Sequence, residues 1–288
     1  MEHVYRLTIS CPDRVGIVAK VGEFVSSHGG WIVEANHYAD TSVEQGGSGW
    51  FFMRHCIKAK SLPFGLEEFR EKFAAIAKEF EMDWQINDSA QAKKIILMVS
   101  KESHCLSDLL HRVHSKELFC EIPCVISNHD DLRSMVEWHG IPFFHVPVDK
   151  KNKQEHFDRV NSIIAEHKVD SIVLARYMQI LPAEICQQYA GQVINIHHSF
   201  LPSFAGARPY HQAAERGVKL IGATCHYVTE ELDAGPIIDQ DVMRISHRDT
   251  IEDTVRLGKD VEKRVLARGV RSHVEDRVLL HGNKTIVF

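Results

Sequence analysis

The sequence predicts an α/β protein of two units: a small βαββαβ unit, then a larger, mostly parallel sheet wound on both faces by helices. Three observations lead there. The 288 residues exceed the roughly 100–200 of one domain. The rhythm of elements changes after the short polar stretch 88–92, from paired strands to strands separated by helices. With 44% hydrophobic and 25% charged residues, each unit can bury a core.

The first unit, residues 1–88, reads in order as strand Val4–Ser10, helix Arg14–His28, strand Trp31–Asp40, strand Trp50–Ala59, helix Leu66–Glu81 and strand Met82–Asn87. Tyr5, Leu7 and Ile9 alternate with Val4, Arg6 and Thr8, giving the first strand one apolar face. Val15, Val18, Val21 and Val25 give the helix an apolar stripe. The glycine-rich stretch Thr41–Gly49 reads as a hairpin loop. Between strand and helix, Asp13 is a candidate N-cap and Gly16 permits close approach of backbone or ligand.

The second unit, residues 93–288, alternates strands with helices: Lys94–Val99, helix Leu106–His114, Ile122–Ser127, helix Leu132–Glu137, Pro142–Val146, helix Gln154–His167, Ser171–Leu174, helix Ala183–Gln188 and Gln192–Ile196. An extended stretch from Ile237, a helix over Thr250–Arg268 and two short strands, Arg277–Leu280 and Lys284–Val287, complete it. Crossover helices imply parallel strands, and a doubly wound sheet binds ligands at the carboxyl ends of its strands.

Composition narrows the function. A formal charge of -5 with both signs interspersed leaves no electrostatic footprint for nucleic acid. The start has no basic segment leading into an apolar one, and no apolar run reaches the length of a membrane span, so a cytoplasmic protein without a membrane partner is expected. Seven cysteines without regular spacing read as reduced, mostly buried thiols. Nineteen histidines form neither an HExxH pattern nor a Cys/His ladder, so no metal is expected.

The chemistry concentrates in two stretches. In Val193-Ile194-Asn195-Ile196-His197-His198-Ser199-Phe200-Leu201-Pro202, strand alternation puts Asn195, His197 and Ser199 on one face and His198 on the other. Pro202 cannot continue a central strand, so these groups meet a loop where a ligand would sit. Further on, Leu232-Asp233-Ala234-Gly235-Pro236 sets a carboxylate in a turn, able to face a histidine. Enclosure by Val228 and Leu232 would raise its pKa. Ser199 either orients the pocket or ends its strand, and His226 is either a pocket residue or a packed core histidine. For His211, at a helix start, a structural role is at least as good a reading as a catalytic one.

Together, Asn-x-His, Ser-x-Leu-Pro and Leu-Asp-x-Gly-Pro resemble the catalytic signature of the glycinamide ribonucleotide formyltransferase superfamily, over Lys94 to Phe288. The resemblance implies that Asn195 polarises a formyl oxygen, His197 transfers protons, and Asp233 sets the charge of the histidine and orients water or amine. Leu174-Ala175-Arg176-Tyr177-Met178-Gln179-Ile180-Leu181 resembles the folate-binding segment of that superfamily, which implies that Met178, Ile180 and Leu181, with His226 and Val228, line a pterin pocket. The stretch CPDRVGIVAKVGEFVSSHGGWIVEANHYAD resembles an ACT domain, a ferredoxin-like regulatory module that commonly pairs and binds amino acids. This implies a homo-oligomer and an amino acid effector near Asp13 and Gly16.

The acceptor of the formyl group distinguishes members of the superfamily. Where glycinamide ribonucleotide formyltransferases carry a glycine-rich phosphate loop, this chain reads Ser100-Lys101-Glu102-Ser103-His104, without glycine and with an acid where phosphate would sit. The acidic balance disfavours a transfer RNA acceptor. Water remains, and the whole chain resembles the bacterial formyltetrahydrofolate deformylases. The expectation is hydrolysis of 10-formyltetrahydrofolate, a substrate, with no cofactor. Transfer to a small amine without phosphate, or an inactive folate and amino acid sensor, are the alternatives.

Overall fold

The computed structural model describes residues 2–41, 49–149, 151–202 and 209–288. The loop expected over Thr41–Gly49 lies, apart from its ends, outside them. Two compact units form: one holds the chain up to Ala92 with Glu275–Leu279 and Ile286–Phe288, the other Lys93–Val274 with Leu280–Thr285.

In the first unit β1 (Val4–Pro12), α1 (Ile17–Ser27), β2 (Ile32–Asp40), β3 (Trp50–Lys58), α2 (Leu66–Glu79) and β4 (Asp83–Asp88) build an antiparallel sheet in the order β2-β3-β1-β4. Leu7 and Ile9 of β1 are fully buried with Val21, Phe69 and Phe73 of the helices. The helix starts later than the valine pattern suggests. Gly16 caps it with φ of 102°, a left-handed conformation that costs glycine least, and no side chain caps. Asp13 is therefore not the N-cap. Val15 and Val18 are exposed, and the buried stripe is Ile17, Val21, Phe24 and Val25.

The sequence reading left the chain end wholly in the second domain, yet Glu275–Leu279 belongs to the first unit, for an electrostatic reason. The Asp276 carboxylate accepts from Asn87 Nδ2 at 2.8 Å and Arg6 Nη1 at 3.4 Å. Arg54, only 2% exposed, donates to the carbonyls of Asp276 and Glu275, each at 3.0 Å. A buried guanidinium needs such partners.

Also in this unit, buried His55 lies Nε2 to Nε2 at 2.7 Å from His37. Burial, helped by the neighbouring His37, lowers the His55 pKa from 6.5 to about 4. The folded protein therefore refuses a proton that the unfolded chain takes below about pH 6.5. The neutral pair stabilises fully above that pH, and the contribution is lost as pH falls toward 4, by on the order of 3 kcal/mol at most. We expect urea midpoints that fall between pH 7 and 5, and a shallower fall in His55→Gln. Equal slopes in the two proteins would remove His55 as a cause.

The second unit contains β5 (Lys93–Val99), α3 (His104–His114), β6 (Cys120–Glu121), β7 (Val125–Ser127), α4 (Arg133–Trp138), β8 (Phe143–His145), α5 (Lys153–His167), β9 (Ser171–Leu174), α6 (Ala183–Gln188), β10 (Val193–His197), α7 (Pro209–Glu215), β11 (Leu220–Tyr227), β12 (Ile237–Arg244) and α8 (Ile251–Val274). The hairpin β13 (Val278–His281) and β14 (Lys284–Val287) ends the chain. The main sheet runs β12-β11-β10-β9-β5-β7-β8, with β6 beside β5. The five strands from β10 to β8 are parallel, and β11 and β12 antiparallel. Between β5 and β9 the order reverses, which is where a doubly wound sheet opens a crevice.

Two elements differ from expectation. Pro123 lacks the N–H a ladder needs, so the strand expected from Ile122 starts at Val125. Helix α8 runs past Arg268 to Val274, because Gly269 stands where a Cβ would strike Cys225 of β11; this glycine serves packing and does not stop the helix. All seven cysteines are free, Cys120 alone being less than fully buried. No helix of the described residues is long and apolar enough to cross a membrane.

Candidate active site

A cavity of about 630 Å³ opens at the carboxyl ends of β9 and β10, lined in part by Asn195, His197, His226 and Asp233. Strand pairing assembles it: antiparallel register sets Asn195 opposite His226 and His197 opposite Thr224, so each pair shares a sheet face. Asn195 Nδ2 and His226 Nε2 are 3.2 Å apart. His226 Nδ1 donates to the Tyr227 carbonyl at 2.8 Å, which leaves Nε2 as the acceptor and fixes the Asn195 amide with its NH2 toward the ring. Burial lowers the His226 pKa, in keeping with a neutral ring.

Asp233 arrives on the loop after β11. Its φ of 55° is left-handed, a region that aspartate tolerates better than most residues. Gly235 closes the loop where a Cβ would collide with the Tyr227 carbonyl, and Tyr227 N donates to the Pro236 carbonyl at 2.9 Å. Held there, Asp233 Oδ2 lies 3.2 Å from His197 Nδ1, and Oδ1 lies 3.8 Å from His226 Nε2. The hydrogen bond from His197 outweighs desolvation and lowers the Asp233 pKa. This corrects the expectation that its apolar neighbours would raise it. His197 Nε2 is buried and has no hydrogen-bond partner among the described residues.

Met178, Ile180, Leu181 and Val228 also line the cavity. Met178 and Ile180 are 59% and 67% exposed, whereas Leu181 is buried against Ile185 and Cys186. Their loop turns sharply, with Arg176 and Met178 at φ of 67° and 57°. Ser100 at the end of β5 steadies it, its hydroxyl lying against the Tyr177 carbonyl and 2.6 Å from Asn128 Oδ1.

Ser199 does not line the cavity; it is buried, and its carbonyl accepts from Thr224 Oγ1 at 2.9 Å. His198, expected to point away, does line it. The cause is the same for both: β10 ends at His197, and alternation ends with it. Residues 203–208, which follow the motif, lie outside the described residues. Asp13 and Gly16 belong to the first unit.

Sequence reasoning missed Arg176, Tyr210, Lys259 and Glu262 on the cavity wall. Glu262, 1% exposed, takes His104 Nε2 at 2.8 Å and the Tyr210 hydroxyl at 2.5 Å, with Arg176 Nε at 3.6 Å. An available signal was an acid on the buried face of α8, beside Val261 and Val265. His104, Cys105 and Glu262 could present three atoms to a cation. His104 Nε2 already holds Glu262, and burial pushes the Cys105 thiol far up, which disfavours the thiolate that a metal requires.

A family profile described as formyl transferase matches residues 93–270. The formyltetrahydrofolate deformylases of Synechocystis and of a Corynebacterium are 45% and 46% identical to this chain, covering 98% and 100% of it and 97% and 98% of their own lengths. A crystal structure of a formyltetrahydrofolate deformylase from Pseudomonas syringae superposes with a TM-score of 0.97 at 67% identity, over 100% of this chain and 95% of that one. The chain belongs to the formyl transferase family and, within it, to the formyltetrahydrofolate deformylases.

Proposed function

We infer that this chain hydrolyses 10-formyltetrahydrofolate to tetrahydrofolate and formate. The observation that carries the reading is likeness along the whole chain, 45% identity over 98% of it, to a relative named for that deformylation. The water oxygen bonds to the formyl carbon, the bond from that carbon to N10 breaks, N10 takes up a proton, and the second proton of water passes to solvent with formate as the anion.

The geometry supplies a role for each group. Asp233 holds the Nδ1–H of His197, leaving Nε2 a lone pair that takes a proton from water and returns one to N10. That nitrogen has no partner among the described residues, so it is free to engage the bound reactants. Asn195, oriented by His226, donates its remaining N–H to the formyl oxygen as charge builds there. Met178, Ile180, Leu181 and Val228 receive the flat faces of the pterin ring. Hydrolysis moves no electrons and needs no carrier, so the folate is the substrate and we assign no cofactor.

The first unit is the regulatory one in this reading, taking an amino acid at Asp13 and Gly16, whose added Cβ would meet nothing within 4 Å. Glycine and methionine are expected to shift activity or melting temperature, and no shift from either would remove the effector. Edge strand β2 exposes Val33 and Tyr38, with Trp31 just before it, which suits pairing of two copies into a homo-oligomer. Seven free thiols suit a reducing cytoplasm.

The test is incubation with 10-formyltetrahydrofolate and no amine. Formate and tetrahydrofolate in equal amounts are expected. Turnover only with an added amine would make the chain a transferase.

A further inference from the structure

The wall of the cavity that includes Glu102, Arg176, Tyr210, Lys259 and Glu262 is charged, and both of its acids are engaged. Lys259 Nζ lies 2.6 Å from Glu102 Oε2, and His104 Nδ1 lies 3.7 Å from the same oxygen. Behind that pair, Glu262 is engaged by His104, Tyr210 and Arg176. The wall adjoins the reacting centre: the rings of His197 and His198 are 5.2 Å apart, and those of His198 and Tyr210 are 6.0 Å apart. Gly258 lets Tyr210 lie flat on α8, since a Cβ there would enter its ring.

We propose that this wall selects the acceptor: the Glu102–Lys259 pair, backed by Glu262, turns away amines and leaves water as the nucleophile. The inference rests on the hydrolase reading and adds what enforces it. A protonated amine is drawn by a free carboxylate, but Glu102 is taken by Lys259, and Glu262 is enclosed by His104, Tyr210 and Arg176. An amine that carries phosphate or carboxylate meets the Glu102 carboxylate on this wall, where Lys259 is already paired. Water has neither charge nor bulk. Rejection by mispaired charge is an established route to specificity.

The reaction held off is aminolysis. The amine nitrogen would bond to the formyl carbon, the bond from that carbon to N10 would break, and N10 would take the proton the amine loses, giving tetrahydrofolate and an N-formylamine with no other reactant.

Breaking the pair from either side should open the site to opposite classes of amine. Lys259→Ala leaves a free carboxylate and should accept glycinamide; Glu102→Ala leaves a free ammonium and should accept aminomethylphosphonate. Both residues are partly exposed, at 38% and 41% of the side chain, so folding should tolerate the changes. The full-length variants would be incubated with 10-formyltetrahydrofolate and each amine, and N-formylamine measured against formate by mass spectrometry. We expect at most a trace of N-formylamine beside formate from the parent protein, and a ratio raised about tenfold or more in each variant, only with its matching amine. Unchanged ratios in variants that still release formate would overturn the proposal. So would loss of formate release in both variants, because the pair would then serve hydrolysis itself. Failure of the parent to release formate without amine would instead overturn the hydrolase reading.

Discussion

Alanine in place of His197 is expected to lower kcat for formate release by about 10²–10⁴-fold, the range carried by a positioned acid–base group. The loss should fall on kcat, since the ring contributes little to holding a folate whose flat end lies among Met178, Ile180 and Leu181. Asp233→Asn should lose a comparable amount. An amide keeps the shape of the carboxylate, but without its charge it no longer stabilises the imidazolium or fixes the Nδ1–H tautomer. Because the two act as a unit, the double variant should be no worse than the poorer single one. Asp233 titrates below its ordinary range, so it remains ionised at any working pH, and the acid limb of the pH–rate profile should not be its own. Retention of a tenth of parental kcat in His197→Ala, with melting unchanged, would remove His197 from the proton path.

The parts of this site legible in sequence were those coded locally. Asn195 and His197 stand two apart on a strand, and Asp233 precedes Gly235 in a turn, so alternation and turn chemistry made them candidates and the resemblance to the formyltransferase signature singled them out. Alternation then failed one residue beyond the strand, where Ser199 turned into the protein and His198 into the cavity. The N-cap failed for a related reason: Asp13 looked right by residue type, but Gly16 could take the left-handed conformation that starts α1 at Ile17. The acid of Glu262 on a buried helix face was a signal, but its role was illegible because it lies in partners from three other segments, at His104, Arg176 and Tyr210, and no local spacing encodes them. The same holds for Asp276, whose partners Arg6, Arg54 and Asn87 join the chain end to the first unit.

Asn195→Ala should cost about 10²–10³-fold in kcat, the usual loss for one donor to a developing oxyanion. The argument rests on orientation. With His226 Nδ1 committed to the Tyr227 carbonyl, Nε2 can only accept, so the Asn195 amide must turn its NH2 to the ring, and one N–H remains for the substrate. Asn195→Asp should be worse than alanine, since it removes the donor and sets a negative charge where negative charge must form. His226→Ala should give a smaller loss, because a freed amide still samples the productive orientation. Adding it to Asn195→Ala should cost nothing further: once the amide is gone there is nothing left for the histidine to aim. A double variant with the full product of both losses would show that His226 acts on the substrate directly. Equal activity in Asn195→Ala and the parent protein would transfer the oxyanion role to His197, whose unpartnered Nε2 would then have to carry the proton as a donor.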